Sequence, residues 1–329
     1  MKTTTGDTTN RGPQTRLSIF SRFWLLMVLT IATAWPAAGS VVISQIYGGG
    51  GNAGATYTHD FVELFNRGNA AVSINGWSVQ YAAAVGTTWQ VHALPSVSIS
   101  PGQYFLIQLN STAAVGSPLP SPDHTGSVNL AAGSGKVALV SSTTPLAGAC
   151  PPGGGSIVDF VGYGATANCF EGSAPAPTPS ATVSVQRGNF GCNDINNNTA
   201  DFIALAVAPR NSASPINECP SISGFLSQSV QCSDSVTFNP TVTSGNTPIT
   251  YSWYHGVTLI PSATGPSLTI NPASYADVGT YTVLVANNLG ATNGASTTLS
   301  VFDLLDPIVS VPADIYVCAM GPTVVSFAK

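Results

Sequence analysis

Within these 329 residues, the side chains best suited to holding an ion lie in the run Asp194-Ile195-Asn196-Asn197-Asn198-Thr199-Ala200-Asp201. Asp194, Asn196 and Asn198 place oxygen atoms at the first, third and fifth positions, and Asp201 adds a carboxylate at the eighth. Alternating Asp and Asn oxygens are what a calcium loop uses. Completed by backbone carbonyls and water, such a site would bind calcium in the weak range of extracellular modules, about 10⁻⁴–10⁻³ M. Thr199 stands where an EF-hand loop has glycine, and Leu205 where it has glutamate. The alternative is therefore an Asx-turn loop that hydrogen-bonds its own backbone.

His59, Asp60 and Glu63 form the other cluster with acid, base or ligand chemistry. In a strand, His59 and Glu63 share a face but sit roughly 13 Å apart, too far for one zinc ion. Glu63 is expected to point away from Val62 and Leu64, on the same side as Phe61, and to pair with a backbone group or a cation such as Arg67. The glycine-rich stretch 48–54 lacks the Lys-Ser/Thr ending of a phosphate cradle. It reads instead as a flexible loop at one end of the domain, the kind of place where such scaffolds put binding function. No Gly-x-Ser-x-Gly, His-Glu-x-x-His or similar nucleophile pattern occurs. No catalytic residue is expected, and the chain reads as a non-enzyme.

The elements that must position these residues are strands. No long stretch shows a helical period. Short runs alternate every second residue and stop at Gly, Pro or Asn. Examples are Val41-Val42-Ile43-Ser44-Gln45-Ile46-Tyr47, Phe61-Val62-Glu63-Leu64-Phe65 and Lys136-Val137-Ala138-Leu139-Val140. Gly76-Trp77 reads as a turn followed by a large core anchor.

Only 7% of residues are charged, against 44% hydrophobic. A disordered tail combines low hydrophobicity with high charge, so this chain should fold. Residues 1–40 read as an export signal: Lys2, Arg11, Arg16 and Arg22 precede the apolar run 23–31 and the small residues around Ala34 and Ala38. A retained membrane anchor is the alternative. Removing the segment leaves five Lys/Arg against thirteen Asp/Glu and no expected transmembrane span. The five cations are scattered, which argues against generic nucleic-acid binding. Six cysteines follow the signal with no metal-ligand spacing, so disulfides in an oxidising compartment are expected, with fifteen possible connectivities.

A family resemblance rests on Val42-Ile43-Ser44-Gln45-Ile46-Tyr47, the glycine loop, Asp60-Phe61-Val62-Glu63-Leu64-Phe65-Asn66 and Ile74-Asn75-Gly76-Trp77-Ser78-Val79. This set resembles the lamin-tail domain, an immunoglobulin-like sandwich. Val158-Asp159-Phe160-Val161-Gly162-Tyr163-Gly164, Glu171-Gly172 and Arg187 through Phe202 resemble its bacterial secreted branch. Residues 41–217 are assigned to this domain.

Residues 218–303 resemble an immunoglobulin-like domain, with Trp253 as the strand-C tryptophan and Tyr281 as the tyrosine-corner residue. Val283 stands where the second bridging cysteine would be, so the inter-sheet disulfide is missing. Residues 304–329 resemble the start of a truncated hyalin-repeat module. The implied fold class is all-β, tandem immunoglobulin-like β-sandwiches. Within it, Cys150 is expected to pair with Cys169, bracketing residues 160–168, and Cys192 with Cys219, closing the first module's tail. Cys232 is left for Cys318 or a partner further on.

The expectation for function is a secreted or cell-surface multi-module protein that binds extracellular proteins or glycans. The alternative is the accessory region of an exported nuclease or phosphatase whose catalytic domain follows Lys329.

Overall fold

The computed structural model describes residues 40–303. The signal-like segment, the hyalin-like stretch and Cys318 lie outside the described residues.

Twelve strands build the first sandwich: β1 (Val41–Tyr47), β2 (Phe61–Asn66), β3 (Val72–Ser73), β4 (Ser78–Ala83), β5 (Gln90–Ala93), β6 (Ser98–Ile99), β7 (Tyr104–Gln108), β8 (His124–Thr125), β9 (Gly135–Val140), β10 (Ile157–Tyr163), β11 (Val183–Arg187) and β12 (Phe202–Ala206). A single-turn helix, α1 (Asn198–Asp201), precedes β12. Six strands form one sheet in the order β12-β11-β1-β2-β7-β8, four form the other in the order β10-β9-β4-β5, and β3 and β6 pair separately. Val62 and Leu64 of β2 join Val79, Val137, Leu139 and Val161 in the core between the sheets, as strand alternation requires.

β1 is buried along its whole length because both of its faces are covered. A register shift between Ile43 and Gln45 changes its parity, so Val41, Ile43 and Ile46 all reach the core. Such a bulge inserts one extra residue and re-aims the side chains after it. On the outer face, Tyr47, Phe61 and Leu106 form one apolar cluster and Val42, Phe65 and Tyr104 another. Residues 207–217 run across this face. Gln45 and Ala208 exchange hydrogen bonds, Gln45 Nε2 donating to Ala208 O at 2.9 Å and Ala208 N to Gln45 Oε1 at 3.1 Å. Asn217 N donates to Gly102 O at the far end.

The second sandwich contains β13 (Ser221–Ser223), β14 (Gln228–Gln231), β15 (Val236–Phe238), β16 (Thr241–Ser244), β17 (Thr250–His255), β18 (Thr258–Ile260), β19 (Leu268–Ile270), β20 (Gly279–Ala286) and β21 (Thr292–Phe302). Its main sheet has the order β14-β21-β20-β17-β18. Trp253 is fully buried and sits opposite Val283 in the β17–β20 ladder, filling the space a bridge would span. Tyr281 donates its hydroxyl to Asp277 O at 2.9 Å, the hydrogen bond of a tyrosine corner. The fold is all-β, two sandwiches in tandem.

Both expected disulfides are present, Cys150–Cys169 and Cys192–Cys219. Among the described residues Cys232 has no disulfide partner.

Candidate binding site

The polar loop at residues 194–201 is built around a cation, and that cation is Arg187. Its guanidinium is fully buried and lies 4.5 Å above the Phe202 ring. Asp159 takes Nη2 at 2.7 Å, Asp194 takes Nη1 at 3.0 Å and Asp201 lies at 3.6 Å, while Nε donates to Ile43 O. Burial works against the charge, but Asp159, Asp194 and Asp201 outweigh it and hold the Arg187 pKa above its ordinary value.

The four residues expected to share one calcium ion, Asp194, Asn196, Asn198 and Asp201, have protein partners in this structure. Asp194 is held by Arg187 and, at 3.3 Å, by Arg67. Asp201 accepts from the backbone N–H groups of Ile195 and Asn197. Asn198 is fully buried: its Oδ1 accepts from Gly162 N and Glu171 N, and its Nδ2 donates to Phe160 O. Asn196 turns the chain with φ 55°, and its N–H points back to Asp194 Oδ1 at 3.4 Å. The loop hydrogen-bonds its own backbone, as an Asx-type turn does. Among the described residues no group of three or more His, Cys, Asp or Glu is placed to hold a metal ion.

The His59–Asp60–Glu63 cluster is likewise structural. Asp60 accepts from Gly50 N at 2.8 Å and Leu130 N at 2.9 Å. Burial pushes its carboxyl up to about 7 against those hydrogen bonds. Asp60 thereby pins the glycine loop at Gly50, within the buried stretch 48–51. A Cβ on Gly50 would meet His59 C at 2.1 Å, so the glycine answers a close backbone approach.

Glu63 points to the outer face with Phe61, as alternation demands, but its partner is Arg210 and not Arg67. Arg210 Nη2 lies 2.7 Å from Glu63 Oε1 and its backbone N donates to Oε2 at 2.6 Å. The same guanidinium stacks 3.9 Å from the Tyr104 ring. Burial raises the Glu63 pKa and Arg210 opposes it. Trp77 is half-buried and packs on the edge of the core.

Three groups escaped sequence reasoning. Lys136 is buried, and its ammonium donates to Gly86 O, Ala149 O and Asn168 Oδ1 at 2.6–2.8 Å. Burial lowers its pKa. A lysine inside the apolar run Gly135–Val140 was the available signal. Glu171 has a buried Oε1 without a hydrogen-bond partner among the described residues; burial and then Asp159 push its carboxyl up to about 9. His92 packs against His124 with ring centroids 4.9 Å apart, and burial followed by His124 lowers its pKa.

The open site lies beside the Arg187 cluster, at the junction of the sandwiches. There a cleft of about 530 Å³ is lined by Asn69, Asn193, Ser221, Thr243, Ser244 and Asn293 among others, with Arg67 and Asp194 at one side. Its walls are held firmly. The Cys192–Cys219 disulfide ties the linker to the first sandwich. Asn189 exchanges two 2.7 Å hydrogen bonds with the backbone of Thr292. Asn287 Nδ2 donates to Asn217 Oδ1 and to Glu218 O, and Glu218 N to Asn246 Oδ1. Asn189 and Phe190 both adopt left-handed backbone, φ 54° and 57°, and Tyr104 Oη and Asn217 Nδ2 clamp the Phe190 carbonyl in that geometry. Left-handed backbone at a bulky residue is strained and persists only where its surroundings enforce it. The charges at the cleft compensate one another, so its chemistry is that of neutral donors and acceptors.

Residues 35–165 match the family model of the Lamin Tail Domain, a span that ends before β11 and β12. No curated protein matches the chain. Solved structures similar to it include I81 from titin, 20% identical over 24% of this chain and 89% of that one, with a TM-score of 0.20. The RIG-5 IG1 homodimer is 14% identical over 26% and 98%, with a TM-score of 0.22. The N-terminal four Ig domains of Dscam1 isoform 7.44 are 13% identical over 69% and 37%, with a TM-score of 0.24. The family match makes residues 35–165 similar to a lamin-tail domain.

Proposed function

We propose that this chain is a non-catalytic, secreted or cell-surface protein that binds extracellular proteins or glycans through the cleft at the junction of its sandwiches. The observation that carries this reading is the cleft itself: amide and hydroxyl side chains from β13, β16, β21 and the loops at Asn69 and Asn193, about 530 Å³ in volume. Domain junctions are where binding pockets concentrate. Asn, Ser and Thr both donate and accept, which suits polar ligands rich in hydroxyl or peptide groups. Export is supported by the signal-like segment and by two disulfides, which persist in oxidising compartments.

The test is a binding screen of the full chain against immobilised glycans and extracellular matrix proteins, repeated with an Asn69→Ala/Thr243→Val variant. Both side chains line the cleft, so the variant should lose binding at least tenfold while keeping its melting temperature. Turnover of DNA, phosphomonoesters or peptides with added divalent metals, abolished by one substitution, would overturn the reading.

A further inference from the structure

β12 has the exposure of an unfinished edge. It closes one side of the six-stranded sheet and pairs only with β11 among the described strands. Ile203, Ala204, Leu205 and Ala206 are all exposed, with Ile203 and Leu205 each 47% open. Alternation in a covered strand would hide one of every two. Edge strands are normally blunted by lysine, proline or a bulge. Phe202–Ala206 contains neither residue, and its register with β11 runs without a shift from Val183↔Ala206 to Arg187↔Phe202. Four consecutive exposed apolar residues on an edge that no described strand covers mark an interaction site.

We propose that this edge binds a second copy of the same chain, β12 pairing antiparallel with β12 about a two-fold axis at Ala204. That register sets Ile203 opposite Leu205 of the second copy, and Leu205 opposite its Ile203. Four large aliphatic side chains then cover one another on one face, and alanines meet on the other. The match is self-complementary, as a two-fold interface must be. Nothing charged opposes it: the β11 residues flanking Ile203, Ala204 and Leu205 are Gln186, Val185 and Ser184. The new ladder continues the β11–β12 ladder outward, the geometry of strand addition. Five residues bury less than the roughly 1,200 Å² of a standard interface. The dimer is therefore weak and concentration-dependent, and gains strength where many copies are displayed together.

Sedimentation equilibrium of the full chain tests this, using wild type, Ile203→Lys/Leu205→Lys and an Ala204→Cys variant carrying Cys232→Ser and Cys318→Ser. The lysine variant should fold with an unchanged melting temperature, since both side chains are already half open. Wild type should shift towards twice the monomer mass as concentration rises, and the lysine variant should remain monomeric. The cysteine variant should oxidise to a dimer linked through position 204 alone, because that position lies on the axis. A wild type that stays monomeric at millimolar concentration overturns the proposal. So does a dimer that survives the two lysines, a cross-link mapping elsewhere, or an edge that captures a peptide of different sequence while the chain stays monomeric.

Discussion

At the scale of single residues, this molecule keeps its few charges inside. Arg187, Glu63, Lys136 and Glu171 are all buried, and an unpaired buried charge costs far more than a paired one. Glu171 has Asn198 Nδ2 at 3.2 Å on Oε2 but no partner on Oε1 among the described residues, and its response to pH follows from its burial. A carboxyl held up to about 9 keeps its proton in the folded state while the unfolded chain has already lost it. Stability from this group is therefore full below the ordinary carboxylate range and declines as pH rises towards about 9. Glu171→Gln, which mimics the protonated form, should match wild type at pH 5 and melt progressively higher than wild type between pH 6 and 9. A constant difference in melting temperature across that range would mean that Glu171 is ionised in the fold.

At the scale of elements, the segment 207–217 is held across the outer face of the large sheet by hydrogen bonds to Gln45, Gly102 and Asp123 and by the Glu63–Arg210 ion pair. Glu63 is fully buried and Arg210 is about one-fifth open. Removing one member of a buried pair leaves an uncompensated charge, a loss of about 3–5 kcal/mol. Arg210→Ala should lower stability by an amount at or somewhat below that range, and speed amide exchange through residues 207–217. Adding Glu63→Gln should recover part of the loss, because the stranded carboxylate is then gone. Chemical denaturation of the single and double variants reads both effects. If the double variant is no more stable than Arg210→Ala, the pair is not what holds the segment. Glu63 was legible as an outward-facing residue of β2 from alternation alone. Its partner was not, since Arg210 lies 147 residues away and reaches it only because the chain doubles back after β12.

At the scale of the whole molecule, the sandwiches are locked together through side-chain amides and one disulfide. Asn287 supplies two hydrogen bonds there, donating to Asn217 Oδ1 and Glu218 O, and its Oδ1 is held within its own loop by Leu289 N and Ala291 N. Asn287→Ala combined with Cys192→Ser and Cys219→Ser should free the linker. Proteolysis between the sandwiches should accelerate roughly tenfold or more, the effect of about 1.4 kcal/mol, while β1–β11 and β14–β21 remain protected. Equal cleavage of wild type and variant would show that the junction is mobile without these contacts.

The short-range features were readable from the chain alone. Strand runs and the outward turn of Glu63 depend on period-two alternation and turn residues; the roles of Trp253 and Tyr281 came from the immunoglobulin-like resemblance, and the two disulfide pairs from the segments they bracket. The parity change inside β1 depends instead on how Ser44 and Gln45 meet Glu63 across the ladder. The acidic loop looked like a calcium site because its oxygens alternate along the chain. Only the tertiary structure shows Arg187 beside these oxygens, with Asp159 from β10 and Asp194 and Asp201 from the loop converging on it. The physical reason is the same in each case: a buried charge is satisfied by whatever the strand order brings beside it, and strand order is a property of the assembled sheets.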